Sequence, residues 1–282
     1  METFKEKKIL IDKSEITYYD EGNGNLTIVF VHGFPFNKSF WKPQLEFLSK
    51  QHRVIAYDIS GFGNSDEKVN LSVSTFANDM IKFINMLKIE TAVFCGLSLG
   101  GYILLNAALR YPTKFEGLIL CDTQCIADSK DGIEKRIKTI QQIEAHGLEE
   151  FAESTLKNIF CKYTFVNNQE LIKYAKSEIL NTSQKSICDT LLVLAEREET
   201  CSSIMKINIP TLIICGSEDS ITPVMQSEFL KGGIPEAKLT LIENAGHLSN
   251  IEQPDAFNKG IINFISELHS KKNNPAVTAS FK

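Results

Sequence analysis

The sequence has a single tryptophan and five histidines, and no apolar stretch approaches the roughly 20 residues that a membrane-spanning helix needs. Surplus positive charge is also missing. Thirty Lys and Arg stand against 35 Asp and Glu, for a net charge of −5, which lacks the basic footprint of a nucleic-acid-binding protein. The N-terminus, METFKEKKILIDKSEITYY, scatters charges where a secretion signal would carry an apolar core. No nucleic acid and no membrane are therefore expected as partners, and a cytoplasmic location is the default reading. Seven cysteines are an odd number, with no Cys-x-x-Cys and no Cys/His pair at metal-binding spacing. Reduced, structural thiols are expected, with Cys95, Cys121 and Cys215 each ending an apolar run. Neither a metal nor an organic cofactor is implied.

What is present is an alternation. LTIVFVHG (26–33) and RVIAYD (53–58) read as buried strands. TFANDMIKFINMLKI follows with Phe76, Met80, Phe83, Ile84 and Leu87 at helical spacing, and Ser74 as its N-cap. TAVFCG, GLILCD, PTLIICG and AKLTLIE continue the strand series, separated by helical patterns that open or close at Pro112, Pro223 and Pro254. Strands alternating with helices of this length imply an α/β fold built on a mostly parallel sheet. The opening KKILIDKSEITYYDEG suggests antiparallel edge strands.

The alternation breaks between residues 123 and 205, where helical stretches such as GIEKRIKTIQQIEAHG occur without a convincing strand. An insertion there would sit at the carboxyl ends of the strands, where open α/β sheets bind ligands. Residues 1–122 and 206–270 are thus read as the core and 123–205 as a helical cap, a separate helical domain being the alternative. Residues 271–282 read as a disordered tail.

The chemistry concentrates at strand ends. Gly96-Leu97-Ser98-Leu99-Gly100 fits G-x-S-x-G between a strand and a helix, the context of a nucleophile elbow. The turn would expose the Ser98 hydroxyl, and the helix beginning near Leu99 would offer unpaired N–H groups to an oxyanion. A serine needs a base, and His247, after the last strand in ENAGHLSN, is the candidate. Asp219 in IICGSEDSITP follows a strand at the same edge and would orient it, with Asp122 as the rival acid. Asp58 and Asp66 read as structural. In HGFPF, the backbone N–H of Phe34 would join that of Leu99 as the second oxyanion donor, while His32 would brace the loop. Phe36, Trp41, Leu97 and Tyr102 are expected to line a mostly apolar pocket.

HGFP, DISGFGNSD, GLSLGG and the pair GSEDSITP with AGHLSNIEQP occur in that order over residues 26–268. Together they resemble the α/β-hydrolase fold superfamily. HGFPFNKSFW, GLSLGGY and AGHLSNIEQPDAF look most like small bacterial serine esterases and 3-oxoadipate enol-lactonase-like hydrolases. The resemblance implies Ser98 as nucleophile, Asp219 as acid, His247 as base, and the Phe34 and Leu99 amides as oxyanion hole. Ser60 departs from the arginine or proline usual after Asp58. Ser98 stands where dehalogenases and epoxide hydrolases of this fold carry Asp, which disfavours those activities. The expectation is hydrolysis of a small-molecule carboxylic ester or lactone through an acyl-enzyme. A C–C bond (diketone) hydrolase, or a weakly hydrolytic ligand receptor signalling through a partner protein, are the alternatives.

Overall fold

Runs rich in Val, Ile and Phe can bury both faces only inside a sheet covered on both sides. The computed structural model, which describes residues 4–273, builds one sheet with such runs at its centre and eight strands in all. They are β1 (Lys7–Ile11), β2 (Ser14–Glu21), β3 (Thr27–Val31), β4 (Arg53–Tyr57), β5 (Ala92–Leu97), β6 (Phe115–Cys121), β7 (Thr211–Gly216) and β8 (Lys238–Ile242). Their order is β1-β2-β4-β3-β5-β6-β7-β8. β1 and β2 pair antiparallel at one edge, as their open alternation suggested, and β2 meets β4 antiparallel. From β4 onward every pair is parallel. The carboxyl ends of β3, β5, β6, β7 and β8 therefore open onto one edge of the sheet.

Helices cover both faces. α1 (Lys42–Leu48), α2 (Val73–Met86) and α3 (Leu99–Arg110) precede five helices between β6 and β7: α4 (Lys130–His146), α5 (Glu149–Ile159), α6 (Lys162–Asn167), α7 (Gln169–Asn181) and α8 (Gln184–Glu196). α9 (Val224–Gly233), α10 (Ser249–Glu252) and α11 (Pro254–Asn273) complete the set. Two apolar layers result. One joins Phe76, Met80, Ile103 and Leu230 to Phe94; the other joins Leu45, Trp41, Phe257 and Ile261 to Val93 and Cys95. Alternation along β5 sends Phe94 to the first and Val93, Cys95 and Leu97 to the second.

Three expectations need correction. α2 starts at Val73 with Ser72, not Ser74, as its cap: the Ser72 hydroxyl accepts from Thr75 N–H, and Ser72 N–H donates back to Thr75 Oγ1. Not every thiol is reduced. Cys125 and Cys201 form a disulfide with Cα atoms 4.9 Å apart, while Cys95, Cys121, Cys161, Cys188 and Cys215 are free and buried. The bridge joins the two chain segments flanking α4–α8, and Thr200 N–H donates to Cys125 C=O beside it. The final helix runs on through Asn273, past the expected start of a disordered tail at 271, and residues 274–282 lie outside the described residues. Among the described residues no helix is long and apolar enough to cross a membrane.

Glycine placement reports how closely these layers approach. A Cβ on Gly100 would lie 2.2 Å from the Val31 carbonyl oxygen, whereas one on Gly232, in α9, would meet nothing within 4 Å. Gly100→Ala is expected to destabilise the protein by at least about 2 kcal/mol through backbone displacement. Gly232→Ala should stabilise it by up to about 1 kcal/mol, because alanine loses less backbone entropy in a helix. Denaturant unfolding of both variants checks the opposite signs.

Candidate active site

Ser98 occupies the single residue between β5 and α3, at φ 53° and ψ −111°. A non-glycine residue held there is strained and persists only because its surroundings leave no alternative. Those surroundings are backbone. A Cβ on Gly96 would fall 2.5 Å from the Gly100 carbonyl oxygen, so the strand and the helix beyond the serine pass with no room for side chains. Ser98 N–H donates to Cys121 C=O, and Thr123 Oγ1 donates to Ser98 C=O at 2.9 Å. The turn is thus tied to the end of β6 on both sides.

The Ser98 Oγ lies 2.9 Å from His247 Nε2, and His247 Nδ1 lies 2.9 Å from Asp219 Oδ2. His247 is held by its own N–H, which donates to Ile159 C=O at 2.7 Å. The imidazole meets Asp219 and not Asp122. Sequence reading missed Thr222, whose Oγ1 donates to Asp219 Oδ2 at 2.7 Å while its N–H and that of Ile221 donate to Oδ1. The signal was present as a threonine three residues after the aspartate, a spacing that favours local side-chain-to-backbone bonds.

Burial and charge act on this row in opposite directions. Burial alone would lower the pKa of His247, but the Asp219 carboxylate outweighs it and raises the imidazole above its usual 6.5. Burial would likewise raise Asp219, but the charge and hydrogen bond of His247 and the Thr222 bonds hold its carboxyl below the usual range. Asp122 is a brace. Its Oδ1 accepts from Gly216 N–H and its Oδ2 from Ser249 Oγ, linking the end of β7 to the segment after His247. Burial first, and the nearby Asp219 charge second, push its carboxyl up to about 8. Asp122, Cys215 and Asp219 bring possible metal-ligand atoms within 4.8 Å of one another. All four carboxylate oxygens there already accept hydrogen bonds from the protein, and burial pushes the Cys215 thiol up to about 12. That donor set suits a structural network rather than a cation.

His32 braces the neighbouring loop. Ile59 N–H donates to its Nε2 at 3.0 Å, which leaves the proton on Nδ1, 3.0 Å from Gly33 C=O. Asp58, fully buried, accepts from Thr17 Oγ1, Lys38 N–H and the Lys38 ammonium, while Asp66 accepts from Glu15 N–H. Both acids serve the loops.

A cavity of about 380 Å³ opens above Ser98 and His247. Phe34 and Tyr102 line it from the core; Ile143, Phe151, Ile159, Leu191 and Leu194 line it from α4, α5 and α8. Of the four side chains expected there, only Tyr102 is found. Phe36 is turned inward and packs on Phe40 with ring centroids 4.0 Å apart, and Trp41 packs between Phe30 and Phe257. Leu97 points into the sheet face that carries α1 and α11, with its Cδ2 only 2.6 Å from where a Gly33 Cβ would stand. Parity along β5 decides this, since Leu97 shares the face of Val93 and Cys95. The helices between β6 and β7 supply the apolar wall that these three were expected to form.

A mostly parallel sheet with this strand order and a Ser–His–Asp row at its carboxyl edge defines an α/β-hydrolase. The sequence profile of the alpha/beta hydrolase fold family matches residues 27–254, and the chain belongs to that family and is a hydrolase. It is similar to 3-oxoadipate enol-lactonase 1 of Acinetobacter baylyi, 30% identical over 241 residues that cover 86% of this chain and 89% of that protein. Among solved structures it resembles a thermophilic esterase from Thermogutta terrifontis, with a TM-score of 0.89 and 31% identity over 94% of this chain and 99% of that one. An enol-lactonase from Burkholderia xenovorans superposes with a TM-score of 0.86 at 26% identity, covering 92% and 100% of the two chains.

The neutral, buried His32 has a consequence for acid stability. Burial lowers its pKa to about 4, below the 6.5 of the unfolded chain. The unfolded state therefore binds a proton first, and the stability that His32 contributes above pH 6.5 is lost as pH falls towards 4. His32→Gln should unfold more easily at pH 7 yet show a shallower loss of stability between pH 6.5 and 4, measured by urea titration across that range.

Proposed function

We propose that the protein is a serine hydrolase that cleaves a small carboxylic ester or lactone through an acyl-enzyme on Ser98. The observation that carries this reading is the unbroken hydrogen-bonded row Ser98–His247–Asp219 at the floor of a cavity with an apolar wall from α4, α5 and α8. The names of its relatives, an enol-lactonase and an esterase, support the same class of bond.

In this reading Ser98 Oγ attacks the carbonyl carbon while His247 Nε2 takes its proton, and Asp219 stabilises the imidazolium that forms. The oxyanion rests on the N–H groups of Leu99 and Phe34. Leu99 opens α3, where a helix leaves its N–H groups without intrahelical partners. Phe34 follows Gly33, whose Cα sits so close to the elbow that a Cβ would lie 3.2 Å from Ser98 Cβ. Each such donor typically lowers the barrier by about 3 kcal/mol. His247 then returns the proton to the departing alkoxide oxygen, which in a lactone stays tethered to the acyl group. Water, deprotonated by the same imidazole, attacks the acyl-enzyme and releases the carboxylic acid.

Ser98→Ala should lower kcat for p-nitrophenyl butyrate or a simple lactone by roughly 10⁴-fold or more while the fold is kept. An unchanged kcat removes Ser98 from the reaction. The base must be unprotonated to act. A raised His247 pKa therefore places the acid limb of kcat/KM above pH 6.5, with activity lost as pH falls through it. Asp219→Asn removes the carboxylate that raises it, so the limb should move to lower pH and kcat should fall by roughly 10⁴-fold. A pH–rate profile of both proteins reads the shift.

A further inference from the structure

A second cavity, about 440 Å³, lies behind the first, between the start of α2, the Cys125–Cys201 bridge and the end of α8. It holds no member of the Ser–His–Asp row. Among the described residues only Tyr102 lines both cavities. It sits one helical turn beyond Ser98 along α3, its N–H donating to the Ser98 carbonyl.

The ring is fixed in place. The Arg197 guanidinium lies over it at 4.6 Å, within the range of a cation–π contact. Arg197 is itself pinned, by Asp128 Oδ1 at 2.7 Å, by Leu194 C=O at 2.6 Å and by Ile126 C=O at 3.1 Å, with its side chain almost fully buried. Asp128 is shared with Arg136 of α4, which lines the first cavity. Gln124 stands on the wall of the second cavity. A ring held on its face by a pinned, buried guanidinium is a partition rather than a mobile wall.

We infer that Tyr102 is a specificity-determining residue: it closes the acyl end of the first cavity, restricts the enzyme to short acyl groups, and separates it from a second chamber that a longer chain would otherwise enter. The inference rests on the ester or lactone reading above. Beyond the ring, Leu71, Ile126 and Val193 offer apolar surface to an alkyl chain. Val73 adds to that surface, while Ser72, Asn106, Glu196 and Glu199 make other parts of the lining polar.

Two measurements on the full chain test this. In the first, kcat/KM is determined for p-nitrophenyl esters from acetate to decanoate. The wild type should favour acetate or butyrate. Tyr102→Ala should raise the octanoate-to-butyrate ratio at least 10-fold, and Tyr102→Phe, which keeps the ring and loses only the hydroxyl, should leave the ratio within 2-fold. A ratio unmoved in Tyr102→Ala, or moved as far in Tyr102→Phe, overturns the inference; a structural defect alone would lower all esters together. In the second, octanoate binding is measured by calorimetry in Ser98→Ala and in Ser98→Ala/Tyr102→Ala. The double variant should bind at least 10-fold more tightly, and equal affinity overturns the partition. Because binding needs no turnover, loss of ester hydrolysis in the wild type would count against the proposed function and leave this result to stand or fall by itself.

Discussion

The backbone of Ser98 is the constraint on which the rest of the site depends. A serine at φ 53° is stable only if the strand before it and the helix after it are clamped at closest approach, and Gly96 and Gly100 permit that approach. Once clamped, the turn puts the hydroxyl at the carboxyl edge of the sheet, beside the opening N–H groups of α3 and beneath the HGFP loop. Parallel strands then bring Asp219 and His247 to the same edge from positions more than a hundred residues away in the chain. The site is a consequence of sheet order as much as of residue choice.

Electrostatics around this edge divides the acids and histidines by partner rather than by burial. His32 and His247 are both buried. His32, facing an amide and a carbonyl, is driven to the neutral form; His247, facing Asp219, is held more basic than a free imidazole. Asp219 and Asp122 are also both buried. The first accepts from an imidazole and a threonine and keeps its charge. The second, placed beside the first, is pushed up by burial and by that charge. Two like groups thus take opposite protonation behaviour from their neighbours, which is how one fold places a base and a brace within a few ångströms.

The core architecture and the row of polar groups were legible because each carries a local signature at a strand end. GLSLGG sits between an apolar run and a helical pattern, and only five histidines compete for the partner role. The antiparallel edge was visible in the open alternation of β1 and β2. What was not legible depends on packing between segments distant in the chain. The pocket wall comes from helices α4, α5 and α8, which carry no motif; Leu97 turned out to be a core residue by its parity along β5, and Phe36 and Trp41 by packing on Phe40, Phe30 and Phe257. Cys125 and Cys201 are separated by 76 residues, so no spacing rule joins them. Ser72 caps α2 in place of the expected Ser74 because Thr75, three residues on, exchanges hydrogen bonds with Ser72.

The most direct test of the account is covalent. A fluorophosphonate that mimics the tetrahedral intermediate is added to the protein, ester hydrolysis is followed in parallel, and the adduct is located by peptide mass spectrometry. The account predicts a single modified residue, Ser98, with activity falling in proportion to occupancy and no labelling in Ser98→Ala. Hydrolysis that continues with Ser98 fully modified, or inactivation that tracks an adduct on another residue, contradicts it.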